Sequence, residues 1–199
     1  MTASLLQVVL DAANYTLILM LVALGLAIVF GLMNVINMAH GEFMMIGAYV
    51  VLLCHQAGLP VGLGMLLAPL VVALLGLVVE ELLIRRVYTR LLDTILATWG
   101  LSLLLKQGMV LLFGPGSYSV PNPLPASVDL LGAAYPAYRL FIMAVTLVTL
   151  GLTFWAFFRT EWGLSARSVI ANRSMAACLG INTRRLDRLT FAFGAGLAG

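Results

Sequence analysis

Apolar residues run through this chain in long blocks instead of alternating with polar ones. The blocks cover 15–32, 43–53, 61–84, 91–113 and 140–158, and another starts at 189 and continues to the last residue. A membrane-crossing helix needs about 20 predominantly apolar residues. The first, third, fourth and fifth blocks meet that length with their flanks. The second is too short alone and needs residues from the polar stretch before it. The sixth, ending in "FAFGAGLAG", is about half a crossing long. A half-crossing leaves backbone groups that the bilayer cannot satisfy. The pattern therefore predicts an all-α, polytopic transmembrane helix bundle with about five and a half spans visible, in a sequence truncated at its C-terminus. Residues 1–199 form one incomplete transmembrane domain.

Composition sharpens this. The chain is 62% hydrophobic and 10% charged, with a mean hydropathy of +1.08. Soluble domains carry roughly 25% charged residues, so this is an integral membrane protein. Its formal charge of +3 does not indicate nucleic acid, because the basic residues sit in a few short links between apolar blocks. Residues 1–14 contain no Lys or Arg and lack the basic start of a signal peptide.

Those links set the orientation. Arg85, Arg86 and Arg90 crowd one; Arg159, Arg167, Arg173, Arg184, Arg185 and Arg188 crowd another. Basic short links face the cytoplasm, so loops 85–90 and 159–188 are expected there and the N-terminus outside. Arg139 is the exception. Residues 114–138, with five of the seven prolines, form the outer loop and are expected to be irregular with extended pieces. Cys54 and Cys178 then fall on opposite faces, which argues against a disulfide, and no Cys/His spacing suggests zinc. Small residues recur at four-residue spacing at Ala23, Ala27 and Gly31, at Gly58 and Gly62, and at Ala195 and Gly199. Such faces let helices approach closely in lipid, within one bundle or between two copies.

Two stretches resist the simple alternation of span and link. The first is "NVINMAHGE", 34–42. Part of it must lie at membrane depth to lengthen the second span, and a charge at a helix centre costs about 2.5 to 3.5 kcal/mol there. Asn34, Asn37 and Gly41 share a stripe on an unbroken helix, with His40 and Glu42 pointing elsewhere. Gly41 beside Glu42 suggests a break in the helix. Two readings stand: a translocation path or gate lined by Asn34, Asn37, His40 and Glu42, or a cytoplasmic turn in which Glu42 caps the next helix. "HGE" has no second His at helical spacing and no Asp nearby, so neither a zinc protease nor a catalytic triad is supported.

The second is 159–190, too apolar for a solvated linker and too basic to span. Ala166, Val169, Ile170 and Ala177 follow helical spacing, Ser174 is placed to cap a short helix, and Gly180 to end it. This describes short helices offering an apolar face, either to the inner leaflet or to a soluble partner.

Three blocks together resemble the permease subunits of ABC importers for branched-chain amino acids and urea: "GLAIVFGLMNVINMAHGEFMMIGAYV", "LLDTILATWGLSLLLKQ" and "TEWGLSARSVIANRSMAACLGINTRRLDRLTFAFGAGLAG". The second and third look slightly closer to the urea-type branch. The resemblance implies a bacterial inner-membrane transport subunit that performs no covalent chemistry. Its implied partners are a second homologous permease, two cytoplasmic ATPase subunits and a periplasmic solute-binding protein. No cofactor binds this chain; ATP is bound by the ATPase subunits, since no G-x-x-x-x-G-K-[ST] is present. The resemblance makes 164–180 the coupling segment, with Gly163, Leu164, Arg167, Arg173, Ala177 and Gly180 as its coupling residues and Arg173 meeting the ATPase. The rival reading is a passive channel for a small neutral solute such as urea.

Overall fold

A computed structural model describes residues 2–87, 90–130 and 133–199. Positions 88–89 of the first basic link and 131–132 of the proline-rich loop lie outside the described residues. Helix α1 spans Thr2–Met33, α2 His40–Gln56 and α3 Val61–Val79. A π-helical turn, Glu80–Ile84, and α4, Arg85–Val87, prolong α3. Helix α5 is Leu91–Phe113. Strands β1, Ser127–Leu130, and β2, Ala133–Pro136, form an antiparallel hairpin with Ser127 opposite Pro136. Then come α6, Ala137–Arg159, α7, Glu161–Ala171, α8, Arg173–Cys178, and α9, Thr183–Ala198.

Among the described residues, four helices are long and apolar enough to cross a membrane: Leu5–Met33, Val61–Val87, Leu91–Phe113 and Ala137–Arg159. They correspond to the expected first, third, fourth and fifth spans. The second is the 17-residue α2, which takes in His40, Gly41 and Glu42 as its first turn, as the shortness of its apolar run requires. The sixth starts earlier than its apolar run. Asn182 caps α9 by accepting from the Arg185 N–H at 3.0 Å, so the last part of the expected loop 159–188 is already helical. A side-chain cap fixes a helix start whatever the hydropathy of the turn that follows.

Helix α1 runs past the expected span at its N-terminal end, where Asp11 accepts hydrogen bonds from Tyr135 Oη at 2.9 Å and from Arg139. That pairing explains Arg139: its counter-charge lies within the chain. The two basic links lie together at the other end, where Glu81 meets Arg184 at 3.5 Å and Arg188 at 3.6 Å.

The core forms where α9 lies among α1, α2 and α3, with Val29, Phe43, Val72, Phe191 and Ala195 buried and the Phe43 and Phe191 rings meeting edge-on at 6.2 Å. Glycines set this spacing. A Cβ on Gly194 would fall 2.5 Å from Val29 and 2.8 Å from the Gly25 carbonyl, and one on Gly76 would fall 2.7 Å from Ala195 Cβ. Of the small-residue stripes read from sequence, the one at Ala195 and Gly199 packs in this way. Those at Ala23, Ala27 and Gly31 and at Gly58 and Gly62 do not: the first is exposed, and a Cβ on Gly31, Gly58 or Gly62 would meet nothing within 4 Å. Four-residue spacing defines a face but not what lies against it; here Gly25 and Val29, one step round α1, face α9 instead. Helix α5 buries Thr94 and Thr98 and exposes Leu92, Leu96, Leu103, Leu104 and Leu111. Leucine-out packing of this kind suits lipid, which is as apolar as the side chain it meets.

Candidate functional site

The polar stretch breaks the helix, but earlier than Gly41. Helix α1 ends with the Asn34 N–H donating to the Phe30 carbonyl at 2.8 Å, and Asn34 then adopts φ +55°. Asparagine is among the residues that tolerate this left-handed conformation. Residues 34–39 are non-helical, while Gly41 sits inside the first turn of α2.

The break is pinned from inside and from the side. The Ala39 N–H donates to Asn37 Oδ1 at 3.1 Å, and the His40 N–H to the Asn37 carbonyl at 3.3 Å. Thr98 on α5 accepts from the Met38 N–H at 3.2 Å, and its hydroxyl reaches the Ile36 carbonyl at 3.2 Å and the Thr94 carbonyl at 2.8 Å. His40 Nε2 lies 3.1 Å from the Val22 carbonyl; a carbonyl only accepts, so this nitrogen carries the proton. Val35, Asn37, Ala39, His40 and Thr98 are all buried. Irregular backbone at membrane depth survives when protein covers it, and here Val35, Asn37 and Ala39 are covered while Asn34 and Met38 face outward.

The four residues proposed to line one path do not converge. Asn37 and His40 face the interior, Asn34 is exposed, and Glu42 is half-exposed and makes no cap hydrogen bond. Glu42 is the acidic residue in the first turn of α2, where a carboxylate favours the positive end of the helix. A cavity of about 570 Å³ lies elsewhere, between α2, α3, the proline-rich loop and the end of α9, and Met44, Val51, Met65, Asn122 and Tyr138 contribute to its lining. None of Asn34, Asn37, His40 or Glu42 lines it. Its size falls within the ~300–1,000 Å³ of small-molecule sites, and its walls are mostly apolar. The break is thus an irregular segment packed into the bundle, and its residues do not line this cavity. Replacing Thr98 with the near-isosteric valine is expected to leave the Met38 N–H unsatisfied and cost about 1–3 kcal/mol. Thermal unfolding of the full-length protein in detergent measures this.

At the basic end, Thr160 caps α7 by accepting from the Gly163 N–H at 3.2 Å. Gly163 is buried against the end of α6, where a Cβ would fall 2.1 Å from the Phe157 carbonyl oxygen. Helix α8 is capped by Asn172, which accepts from the Met175 N–H at 3.0 Å; Ser174, expected in that role, donates to Asn172 Oδ1 at 2.9 Å. Asn172 wins because it sits one residue before the first helical one, the position whose side chain reaches back over the turn. Gly180 ends α8 as expected, at φ +88°, with its N–H on the Ala177 carbonyl at 3.1 Å and the Ile181 N–H on the Ala176 carbonyl at 3.1 Å. This is the paired pattern that satisfies the last carbonyls of a helix.

The apolar face of this segment is partly consumed within the chain. Ala166, Val169 and Ala176 are buried, while Ala177 is exposed with Leu164, Ile170, Met175 and Leu179. Arg167 lies over the Phe158 ring at 5.2 Å. Arg173, expected to meet an ATPase, forks onto both carboxylate oxygens of Asp187 in α9. Asp187 is buried, and that burial pushes its carboxyl above the ordinary carboxylate range while Arg173 works against the shift.

One cluster escaped the sequence reading. Glu80, in the π-helical turn, is fully buried with no hydrogen-bond partner for Oε2 among the described residues. Glu81, its neighbour, faces Arg85, Arg184 and Arg188. The signal was present: two adjacent carboxylates close an apolar run of nineteen residues, and an ionisable group at such a place marks function or a partner by default. π-Helical turns are themselves frequent at functional sites. The cluster joins the end of α3 to the start of α9.

A sequence model of the family described as branched-chain amino acid transport system, permease component, matches residues 8–199. The chain is 31% identical over 195 residues to the high-affinity branched-chain amino acid transport system permease protein BraD of Pseudomonas aeruginosa. It is 29% identical over 194 residues to LivH of Salmonella typhimurium and 28% identical over 194 residues to LivH of Escherichia coli, both carrying the same description. Each match covers 89% of this chain and 63% of the relative, so the chain spans under two thirds of the length of these relatives. No solved structure matches.

Proposed function

Because the chain belongs to the branched-chain amino acid transport system permease family, we propose that it is a membrane-spanning subunit of an ATP-driven importer in a bacterial inner membrane. The match over 8–199 carries this reading. A second permease subunit completes the pathway, two ATPase subunits dock at the basic end and a solute-binding protein docks at the hairpin end. The basic end is cytoplasmic, and the N-terminus outside. The buried break at 34–39 is the hinge about which α2 moves as access alternates, with Asn37 and His40 holding it. Leu164 is the foremost docking residue, since its side chain, 59% exposed, is the most exposed large apolar one on α7.

The solute is a branched-chain amino acid. The relatives carry that description, and Met44, Val51 and Met65 in the cavity wall suit an aliphatic side chain better than a small polar amide. Urea, favoured slightly by the wording of two sequence blocks, is the second reading. Reconstitution of the full-length permease with its ATPase and binding-protein partners tests both: leucine uptake that urea does not compete is expected, and urea uptake without leucine uptake reverses the assignment. Uptake that persists after ATP depletion identifies a passive channel instead. Leu164→Asp is expected to leave thermal stability unchanged and abolish ATP-driven uptake, because an exposed position tolerates charge until a partner must cover it. Unimpaired uptake removes Leu164 from the docking surface.

A further inference from the structure

Charges do not balance where α3 and α9 meet. Arg85, Arg184 and Arg188 all gather on the single carboxylate of Glu81. The two from α9 stand at 3.5 and 3.6 Å with side chains 58% and 46% exposed. Arg185 has no ion pair among the described residues. The neighbouring carboxylates cannot supply the difference: Asp187 is held by Arg173, and Glu80 is buried behind the turn. Among the described residues, three guanidiniums therefore share one accessible carboxylate, and Arg185 lines the adjoining cleft without an ion pair. Between the helices lies a cleft of about 500 Å³ lined by Leu77, Asn182, Arg184, Arg185, Arg188 and Leu189.

We propose that this cleft binds the phosphodiester headgroup of an anionic phospholipid, with Arg184, Arg185 and Arg188 on the phosphate and Leu77 and Leu189 against the start of the acyl chain. Guanidinium forks match phosphate oxygens geometrically. The apolar wall decides for lipid over a free anion. Leu77 continues along α3 through the exposed Val78, Leu74 and Leu70, which share its face at helical spacing and belong to the membrane-crossing segment Val61–Val87. The cleft is thus basic at the end of a span and apolar along it, the layout of a phospholipid seen side-on. Basic pockets between transmembrane helices take anionic headgroups in this manner. The site does not depend on which solute is carried or on which way the chain is oriented.

The test is lipid retention by the full-length protein in native mass spectrometry, titrated with phosphatidylglycerol against phosphatidylcholine. Phosphatidylglycerol is expected to stay bound after phosphatidylcholine has dissociated. Arg185→Gln, which breaks no ion pair, should weaken that retention roughly fivefold without changing the melting temperature. Arg86→Gln, in the other basic link and outside the cleft, should leave it unchanged. Inorganic phosphate in excess should fail to displace the lipid. Equal retention of the two lipids, an unchanged Arg185→Gln variant, or displacement by inorganic phosphate would each overturn the proposal. Displacement by the ATPase subunits would reassign the cleft to an acidic protein surface.

Discussion

Replacing Gly163 with alanine is expected to abolish transport while the protein still reaches the membrane. Gly163 sits where α7 turns away from α6, and the added methyl carbon would lie 2.1 Å from the Phe157 carbonyl oxygen and 2.5 Å from the Ala156 carbonyl oxygen. Both are backbone atoms at the end of a helix, so no rotamer change relieves the overlap. Overpacking of this kind costs about 1–3 kcal/mol even where side chains can yield, and here α7 itself must shift. That helix carries the exposed Leu164 and Ile170 on one side and the buried Ala166 and Val169 on the other. A shift therefore displaces Leu164, the proposed docking residue, and opens the core together. Gly180 offers the control. Its φ of +88° makes alanine strained there, yet a Cβ would meet nothing within 4 Å, so Gly180→Ala should cost about 1–3 kcal/mol of conformational strain without a clash. Melting temperature, membrane abundance and the ratio of ATP hydrolysed to solute moved, measured for both variants, separate the cases. Normal uptake by Gly163→Ala would mean that the tight corner is not required for coupling.

How far such positions are legible in sequence depends on the kind of information they carry. The spans were readable because hydropathy in lipid is nearly a one-body property: each block either is or is not apolar for long enough. The clustering of arginines on one end was readable for the same reason, and the pairing of Glu81 with Arg184 and Arg188 bears it out by bringing the two links together. The turn at Gly180 was readable because glycine after a short apolar helix has a local cause. The convergence of Asn34, Asn37, His40 and Glu42 was not. Whether neighbouring polar residues share a cavity depends on the backbone between them, and the left-handed Asn34 turns it in a way that residue types alone do not specify. The start of α9 was missed because a single Asn182 cap outweighs the polar turn that follows. Two of the three small-residue stripes do not pack within the chain, for a third reason: a face of alanines and glycines has two flanks, and the choice of Gly25 over Ala23 is made by α9, a partner distant in sequence.

Arg173 is also held by α9, and its removal is expected to have an effect opposite in kind to a lost docking contact. Its guanidinium forks onto Asp187, whose side chain is 2% exposed while that of Arg173 is 37% exposed. The two halves of the pair are therefore unequal. Arg173→Leu leaves a carboxylate buried without its counter-charge, close enough to the buried Glu80 for the two to repel. Asp187→Leu leaves a guanidinium that water can still reach. Breaking a fully buried pair costs 3–5 kcal/mol; with one partner half in solvent, screening reduces this to about 2–3 kcal/mol for Arg173→Leu, and Asp187→Leu should cost less. The double variant should recover much of the loss, since an apolar pair of similar volume often replaces a buried ion pair without penalty. The pH dependence has a definite sign. Burial already raises the Asp187 carboxyl, and loss of Arg173 raises it further. Because the folded-state value then lies above the unfolded value of about 3.9, protonation favours the folded protein, and the Arg173→Leu variant gains stability relative to wild type as pH falls from neutral. Melting temperatures of wild type, both single variants and the double variant, at neutral and mildly acidic pH, give the coupling directly. If the two single losses are equal and additive, the pair carries no interaction energy. Arg173 would then return to the outward, partner-facing role that its place in the coupling segment first suggested.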